Sequence, residues 1–429
     1  MSRVLLHSQV FSPDGVSTAY LMTDLARELR RIGHAVTVLT TTPHYNVDAP
    51  AALRQPLHRR ALGLWWVSEV DGVHVWHVKT PPKGNRVWAR AVDFIGFHLV
   101  SLFLGCFVIG RQDIVITTSP PLTIGVVSWL LGARWGAPSV YKVAELYPDM
   151  AIRQGALRGA FMIGLFKRIE QLVYRRHAMI VPIAETFTRL IRQRNVPDSK
   201  LRTIPDCVDL DVYRPLPRQN TFAAEHRLLD EFVVLYGGNI GYFQDWESVL
   251  YAAHQVGDLP VRFVIVGDGG RRDWLSAEIT RLNLTNVTLI GYQPKERMPE
   301  INAACDLALV PLTISGAKEG FPSKVYSNLA CGRPVLVSAE EGSEMAALVL
   351  NARCGRIAPP EDGPALAEAV RTAYQQRACL AEEGHRGRAL IEREYSKEAI
   401  ARRYDALIRE LTTPRGREGS RSSGDVQAR

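Results

Sequence analysis

The chain has 429 residues, 46% apolar and 22% charged, which describes a folded globular protein too long for one ordinary core and suited to two domains of Rossmann size. Its formal net charge of +8 points to an anionic partner, but no Lys/Arg block sits among aromatics, so nucleic acid ranks last. The six cysteines stand singly, without C-x-x-C or paired histidines, which argues against a zinc site or a disulfide framework.

The amino terminus opens directly on RVLLHSQV, with no separate apolar leader, and the expected location is cytoplasmic. RVLLHS (3–8) reads as a buried strand. Leu21, Leu25, Leu29 and Ile32 then recur at helical spacing, and Gly33 supplies a stop. AVTVLT (35–40), VHVWHV (73–78), DIVITTSPP (113–121), PSVYKVAEL (138–146) and AMIVPI (178–183) continue as strands between helical patterns. Such alternation predicts an α/β fold with a parallel, doubly wound sheet. Nothing in the sequence decides between core and interface for Trp65 and Trp66. His44, in TTPHYN, reads as a loop histidine.

FIGFHLVSLFLGCFVIG (94–110) is nearly free of charge and is preceded by Lys79, Lys83, Arg86 and Arg90. As a helix it would span roughly 25 Å, slightly short of a bilayer core. A helix dipping into a membrane face, a buried core helix and a true span all remain open.

After TIPDCVDLDVYRPLP (203–217) the alternation restarts with EFVVLYGGNIG, VRFVIVGDGG, NVTLIGY, CDLALVPL and RPVLVS. We therefore expect two Rossmann-like domains, 1–205 and 206–395, with a linker at 203–218. A helix over 396–412 is expected to pack back on the junction, and a disordered tail to fill 413–429. Asp209 and Asp211 resemble a metal-binding D-x-D but lack a further ligand at useful spacing, so no metal is expected.

Two glycine-rich turns follow strands of the second half, where a doubly wound sheet leaves its ligand crevice. In YGGNIG, Gly238 and Gly241 flank Asn239, whose amide can donate to a phosphate oxygen. VGDGGRR has Gly267 and Gly269 at the first two positions of G-x-G-x-x-G but Arg272 at the third, so it is a strand-to-helix turn and not a dinucleotide fingerprint. KEGFPSKVYSNLACGRPVLV (318–337) places Ser323 as the N-cap of a helix Lys324 to Cys331, stopped by Gly332 and Pro334. A cation at the first turn opposes the helix dipole, so Lys324 makes structural sense if it faces an anion.

These motifs, with FSPDGVSTAYLMTDLARELRRIGHAVTVLTT at the start, resemble the family 4 retaining glycosyltransferases over nearly the whole chain. That family has the GT-B fold, two Rossmann-like doubly wound domains facing a central cleft. The chain looks most like the fucosyl or N-acetylfucosaminyl-type branch of bacterial polysaccharide and O-antigen assembly. The resemblance implies an acceptor domain at 1–205 and a nucleotide-sugar domain at 206–395. It implies a metal-independent hexosyltransferase without a cofactor, peripheral to the inner membrane, acting on a lipid-linked or glycan acceptor.

By position, Glu319 matches the first carboxylate of the family's E-x7-E motif, and Lys324 becomes the main cation for the diphosphate. The second carboxylate is replaced by Ser327, and Tyr242, Phe243 and Gln244 stand where many members place Arg and Lys. Donor contacts are implied for Gly15, Gly238, Asn239, Gly241, Gly267, Asp268, Gly291, Gly320, Phe321, Pro322, Ser323 and Ser327. Glu145 and Asp149, in AELYPDM, fall at an acidic segment of the opposite wall; an acidic pair at a helix N-terminus explains them equally well. A nucleotide-sugar epimerase and a catalytically inactive nucleotide-sugar-binding scaffold stay open beside the transferase.

Overall fold

The computed structural model describes residues 1–80, 87–153, 155, 157–319 and 323–413. The tail expected over 413–429 lies, past Thr413, outside the described residues, as do Lys83 and Arg86. The chain forms two compact units, the first holding Met1–Pro182, Ile191–Arg202 and the chain from Ala401, the second Ile183–Leu190 and Thr203–Ile400.

The first unit is built on β1 (Arg3–His7), β2 (Ala35–Thr41), β3 (His58–Arg60), β4 (Trp65–Val70), β5 (Val73–Val78), β6 (Ile114–Thr118), β7 (Ser139–Val143) and β8 (Met179–Pro182). The sheet order is β3-β4-β5-β2-β1-β6-β7-β8. The six strands read from the sequence make its parallel body, and β1 and β6 are buried almost throughout, as a sheet covered on both faces requires. The hairpin of β3 and β4 is antiparallel and was not anticipated. Asp71 and Gly72, at φ 49° and 75°, form the two-residue turn into β5, and a DG pair between alternating runs was its sequence signal.

Helix Ser17–Ile32 buries Ala19, Met22, Leu25, Ala26 and Leu29, and Gly33 ends it at φ 108°. Helix Val87–Phe107 covers the expected apolar stretch only as far as Phe107. One side of it is core, with Phe97 and Leu104 packed among Leu5, Leu39, Val115 and Leu131. Among the described residues no helix is long and apolar enough to cross a membrane. Helix Lys397–Thr412 buries Ile400, Tyr404, Leu407 and Ile408, and its Asp405 lies 2.9 Å from His34 Nε2.

The second unit has β9 (Phe232–Gly237), β10 (Val261–Val266), β11 (Val287–Ile290), β12 (Leu307–Val310), β13 (Val335–Ser338) and β14 (Gly355–Ala358), all parallel in the order β11-β10-β9-β12-β13-β14. The stretch expected as a linker is pinned into this unit. Val208 bonds Tyr395 O at 2.9 Å, and Arg218 Nε donates to Asp306 at 3.0 Å. Thr188 and Thr203 hydroxyls, 2.7 Å apart, tie segment Ile183–Leu190 to the same body.

Arg194 is an ionic anchor of the first unit, bonding Asp149 at 2.5 Å and Glu170, whose side chain is buried. Arg194→Met is expected to cost about 3–5 kcal/mol by leaving Glu170 uncompensated. The double variant with Glu170→Gln should recover most of it; urea unfolding of each checks this.

Candidate functional site

In the second unit the carboxyl ends of β9, β10 and β11 are stitched together by backbone. Gly238 N–H donates to Val266 O at 2.8 Å, Ile240 N–H to Asp268 O at 2.8 Å, and Gly267 N–H to Ile290 O at 3.0 Å. Gly238 and Gly267 have φ of 142° and 147°, and a Cβ on Gly267 would overlap the Gly238 carbonyl oxygen. Only glycine allows two strand ends to meet this closely. Arg272, rejected in the sequence as a third motif glycine, locks the corner by donating to Gly267 O at 2.9 Å and Ile290 O at 3.2 Å.

Lys324 reaches into this corner. A Cβ on Gly238 would overlap its Cε and stand 2.9 Å from its Nζ, so the bare glycine backbone is what accommodates the side chain. The ammonium lies 5.4 Å from the centroid of the Tyr236 ring, within cation–π range. Tyr236 in turn donates its hydroxyl to Asn239 O at 2.5 Å, and Trp246 Nε1 donates to Gly241 O at 3.1 Å. Among the described residues no carboxylate pairs with Lys324. Desolvation by burial lowers its pKa from the ordinary lysine value.

Lys324 belongs to the first turn of helix Ser323–Ala330. Ser323 is thus the first helical residue, one position inside the expected cap, and Gly332 closes the helix at φ 69° with its N–H on Leu329 O at 2.9 Å. First-turn N–H groups have no intrahelical acceptor, so an anion at this corner meets both N–H dipoles and an ammonium. Ser327 Oγ donates to Lys324 O at 3.1 Å, so its proton is used within the helix. Asn239 and Asp268 are exposed at the rim, and Gly291 follows β11 directly. Gly320, Phe321 and Pro322 lie outside the described residues, as does the side chain of Glu319, whose backbone ends helix Ile314–Glu319.

Gly15, Glu145 and Asp149 lie in the first unit. A Cβ on Gly15 would overlap Asn46 O, so backbone packing alone requires glycine there. Its neighbour Asp14, buried, accepts the His44 and Tyr45 N–H groups at 2.8 Å each, and burial pushes its pKa up. His44 Nδ1 sits 3.0 Å from Thr42 O within the same loop. Glu145 follows β7 half-buried, its pKa raised by desolvation, while the carboxylate of Asp149 is held by Arg194. Asp209 and Asp211 lie 2.9 and 3.5 Å from Lys397 Nζ, and among the described residues no group of three or more His, Cys, Asp or Glu is arranged for a metal.

Sequence reasoning missed Tyr236, Arg272 and Asp14. Their signals were present but faint: an aromatic directly before a glycine pair, a basic residue closing a glycine turn, and an aspartate in a proline–glycine bend.

Two family models match the chain in tandem, a glycosyl transferase 4-like domain over residues 18–207 and a glycosyl transferases group 1 domain over 231–376. The chain is 25% identical over 308 residues to a Pseudomonas aeruginosa protein named as a glycosyltransferase, WbjE, covering 70% of this chain and 75% of that one. It is 22% identical over 431 residues to Escherichia coli WcaI, named for glycosyl transfer in colanic acid biosynthesis, covering 95% and 100%. Among solved structures, Anabaena HepE in complex with UDP superposes with a TM-score of 0.69 at 16% identity, covering 95% of this chain and 100% of that one. WaaG, a glycosyltransferase involved in lipopolysaccharide biosynthesis, gives 0.59 at 14%, covering 94% and 99%. The fold is that of the GT-B glycosyltransferases. The chain is a glycosyltransferase in which a group 1 domain follows a 4-like domain.

Lys324→Met should stabilise the ligand-free protein by about 1 kcal/mol, or ~2–4 °C in Tm, because a desolvated cation that no carboxylate pairs among the described residues is removed. The folded pKa lies below the unfolded one. Stability should therefore rise with pH between those two values in the parent and lose that rise in Lys324→Met, as pH-dependent melts would report. Gly267→Ala should destabilise by about 2–4 kcal/mol through overlap and backbone strain, seen as a lowered urea midpoint.

Proposed function

We propose that this glycosyltransferase moves a hexose from a nucleoside diphosphate donor to a lipid-linked or glycan acceptor in cell-envelope polysaccharide assembly, at the cytoplasmic side of the inner membrane. The observation that carries the donor assignment is Lys324: a half-buried ammonium set against a side-chain-free glycine at the start of a helix, with no carboxylate beside it among the described residues. Such a group is costly to hold unless an anion completes it. In transfer, the bond from the sugar's anomeric carbon to the diphosphate oxygen breaks and that oxygen takes up negative charge. Lys324 and the first-turn N–H groups are fixed donors for it and require no metal, and each such donor contributes a few kcal/mol in the transition state. Asn239 and the glycines of both turns are assigned to the phosphates, Glu319 to the sugar hydroxyls, and Glu145 to the acceptor. Transfer with retention, and a fucose-type deoxy sugar, follow from the resemblance of the motifs. The names of WcaI and WaaG support an envelope glycan as the destination.

One observation favours a second reading, a nucleotide-sugar-binding scaffold without turnover. At the position of the second motif carboxylate, the hydroxyl of Ser327 is engaged with Lys324 O. Donor consumption separates the two. UDP, GDP and dTDP sugars should be screened by thermal shift, and the one that stabilises then assayed with membrane lipid extract for release of the nucleoside diphosphate. A transferase releases it only with acceptor present. Lys324→Ala should lower kcat by ~100- to 1000-fold, and Glu319→Ala should lower it as well. Donor-induced stabilisation without release in the parent protein establishes the scaffold instead.

A further inference from the structure

Helix Val87–Phe107 has a second side that the core does not use. Ile95, Leu99, Phe103 and Phe107 are 58%, 64%, 49% and 77% exposed and recur every fourth residue, so they form one ridge opposite Phe97 and Leu104. Phe103 packs its ring against Phe107 at 5.4 Å and against Trp65 of β4 at 6.3 Å, which joins the ridge to the hairpin. The turn of that hairpin raises two more leucines, Leu62 at 95% and Leu64 at 61% exposure. Leu62 has a φ of 56°, unfavourable for a leucine, and the Arg59 guanidinium holds its carbonyl.

Cations border the same surface. Arg60 stands opposite Trp65 in the β3–β4 register and lines a groove with Val108 and Gly110. Arg111 and Arg134, both exposed, line a cleft with Phe107 and Val108. Among the described residues no carboxylate pairs with Arg60, Arg111 or Arg134. Asp113, which feels the charge of Arg111, is bonded to Arg3 at 2.9 Å.

We propose that this surface docks in the plane of an anionic phospholipid layer. The ridge and the Leu62–Trp65 turn enter the headgroup–acyl boundary, and the three arginines meet lipid phosphates. The helix does not span, since among the described residues none is long and apolar enough. An apolar ridge with basic flanks and a tryptophan beside it is the pattern of an interfacial helix. A second copy fits less well. A two-fold contact through this ridge would set the same arginines against each other, on a chain already at +8.

Flotation of the full chain with vesicles tests this, without sugar nucleotide, so that failure leaves the sugar-transfer reading untouched. Vesicles of phosphatidylcholine alone are compared with vesicles about one quarter phosphatidylglycerol. The parent should bind the mixed vesicles, and less so as salt rises. Leu99→Gln with Phe107→Gln should lower the partition coefficient about tenfold or more on the mixed vesicles. Arg111→Ser with Arg134→Ser should lower it roughly twentyfold on the mixed vesicles and leave the neutral ones unchanged. Unchanged Tm values establish that the variants fold. Absence of binding to mixed vesicles at low ionic strength overturns the proposal, as do equal partition of parent and variants, or self-association in sedimentation that Leu99→Gln with Phe107→Gln abolishes.

Discussion

The close approach of two glycine turns, at Gly238 and Gly267, is the constraint on which the placement of Lys324 depends. Strand ends of a parallel sheet normally part once side chains intervene. Here the Gly238 backbone, with no Cβ, leaves room for the stem of Lys324, and Gly267 seats itself over the Gly238 carbonyl. The ammonium is thereby delivered to the carboxyl ends of β9 and β10, at the first turn of helix Ser323–Ala330. Tyr236 beneath it and Arg272 behind the turns fix the corner from below. The corner proposed to take an anion is assembled from backbone geometry first and side chains second.

Buried charge is treated differently elsewhere in the molecule. Asp14 is enclosed but receives two backbone N–H groups, and Glu170 is enclosed but receives Arg194. Asp306 holds Arg218 at the edge of the second core. Each is a charge whose partner is part of the fold, and each explains local architecture. Lys324 departs from that pattern, with only an aromatic face beside its charge among the described residues. Where a protein leaves a desolvated charge without an internal counterion, a functional role is the physical expectation.

The first unit carries a comparable asymmetry in its apolar surface. From Phe94 to Phe107, helix Val87–Phe107 is apolar on both sides, but the sheet and the neighbouring helix cover only one. An exposed aliphatic and aromatic ridge, next to arginines that no carboxylate pairs among the described residues, costs solubility without contributing to the core. The two proposals, an anion site in one unit and a lipid-docking face in the other, together describe a catalyst that joins a charged soluble donor to an acceptor held at a membrane.

The order of strands and helices was legible because it rests on local pattern. Buried parallel strands must be continuously apolar, and the helices between them must be amphipathic, so twelve-residue windows suffice to read them. The YGGNIG and VGDGG turns were legible for the same reason, since glycine marks backbone requirements at single positions, and so was the helix that begins at Ser323. The β3–β4 hairpin escaped because its turn, at residues 61–64, carries leucines where a turn signal is expected, and β4 escaped with it although the DG pair at Asp71 and Gly72 marks its turn into β5. What local sequence leaves open is which turn meets which. That Lys324 lies on Gly238, that Asp149 is held by Arg194 and that one side of an apolar helix stays uncovered are matters of tertiary packing. They depend on the approach of segments far apart in the chain, which packing alone decides.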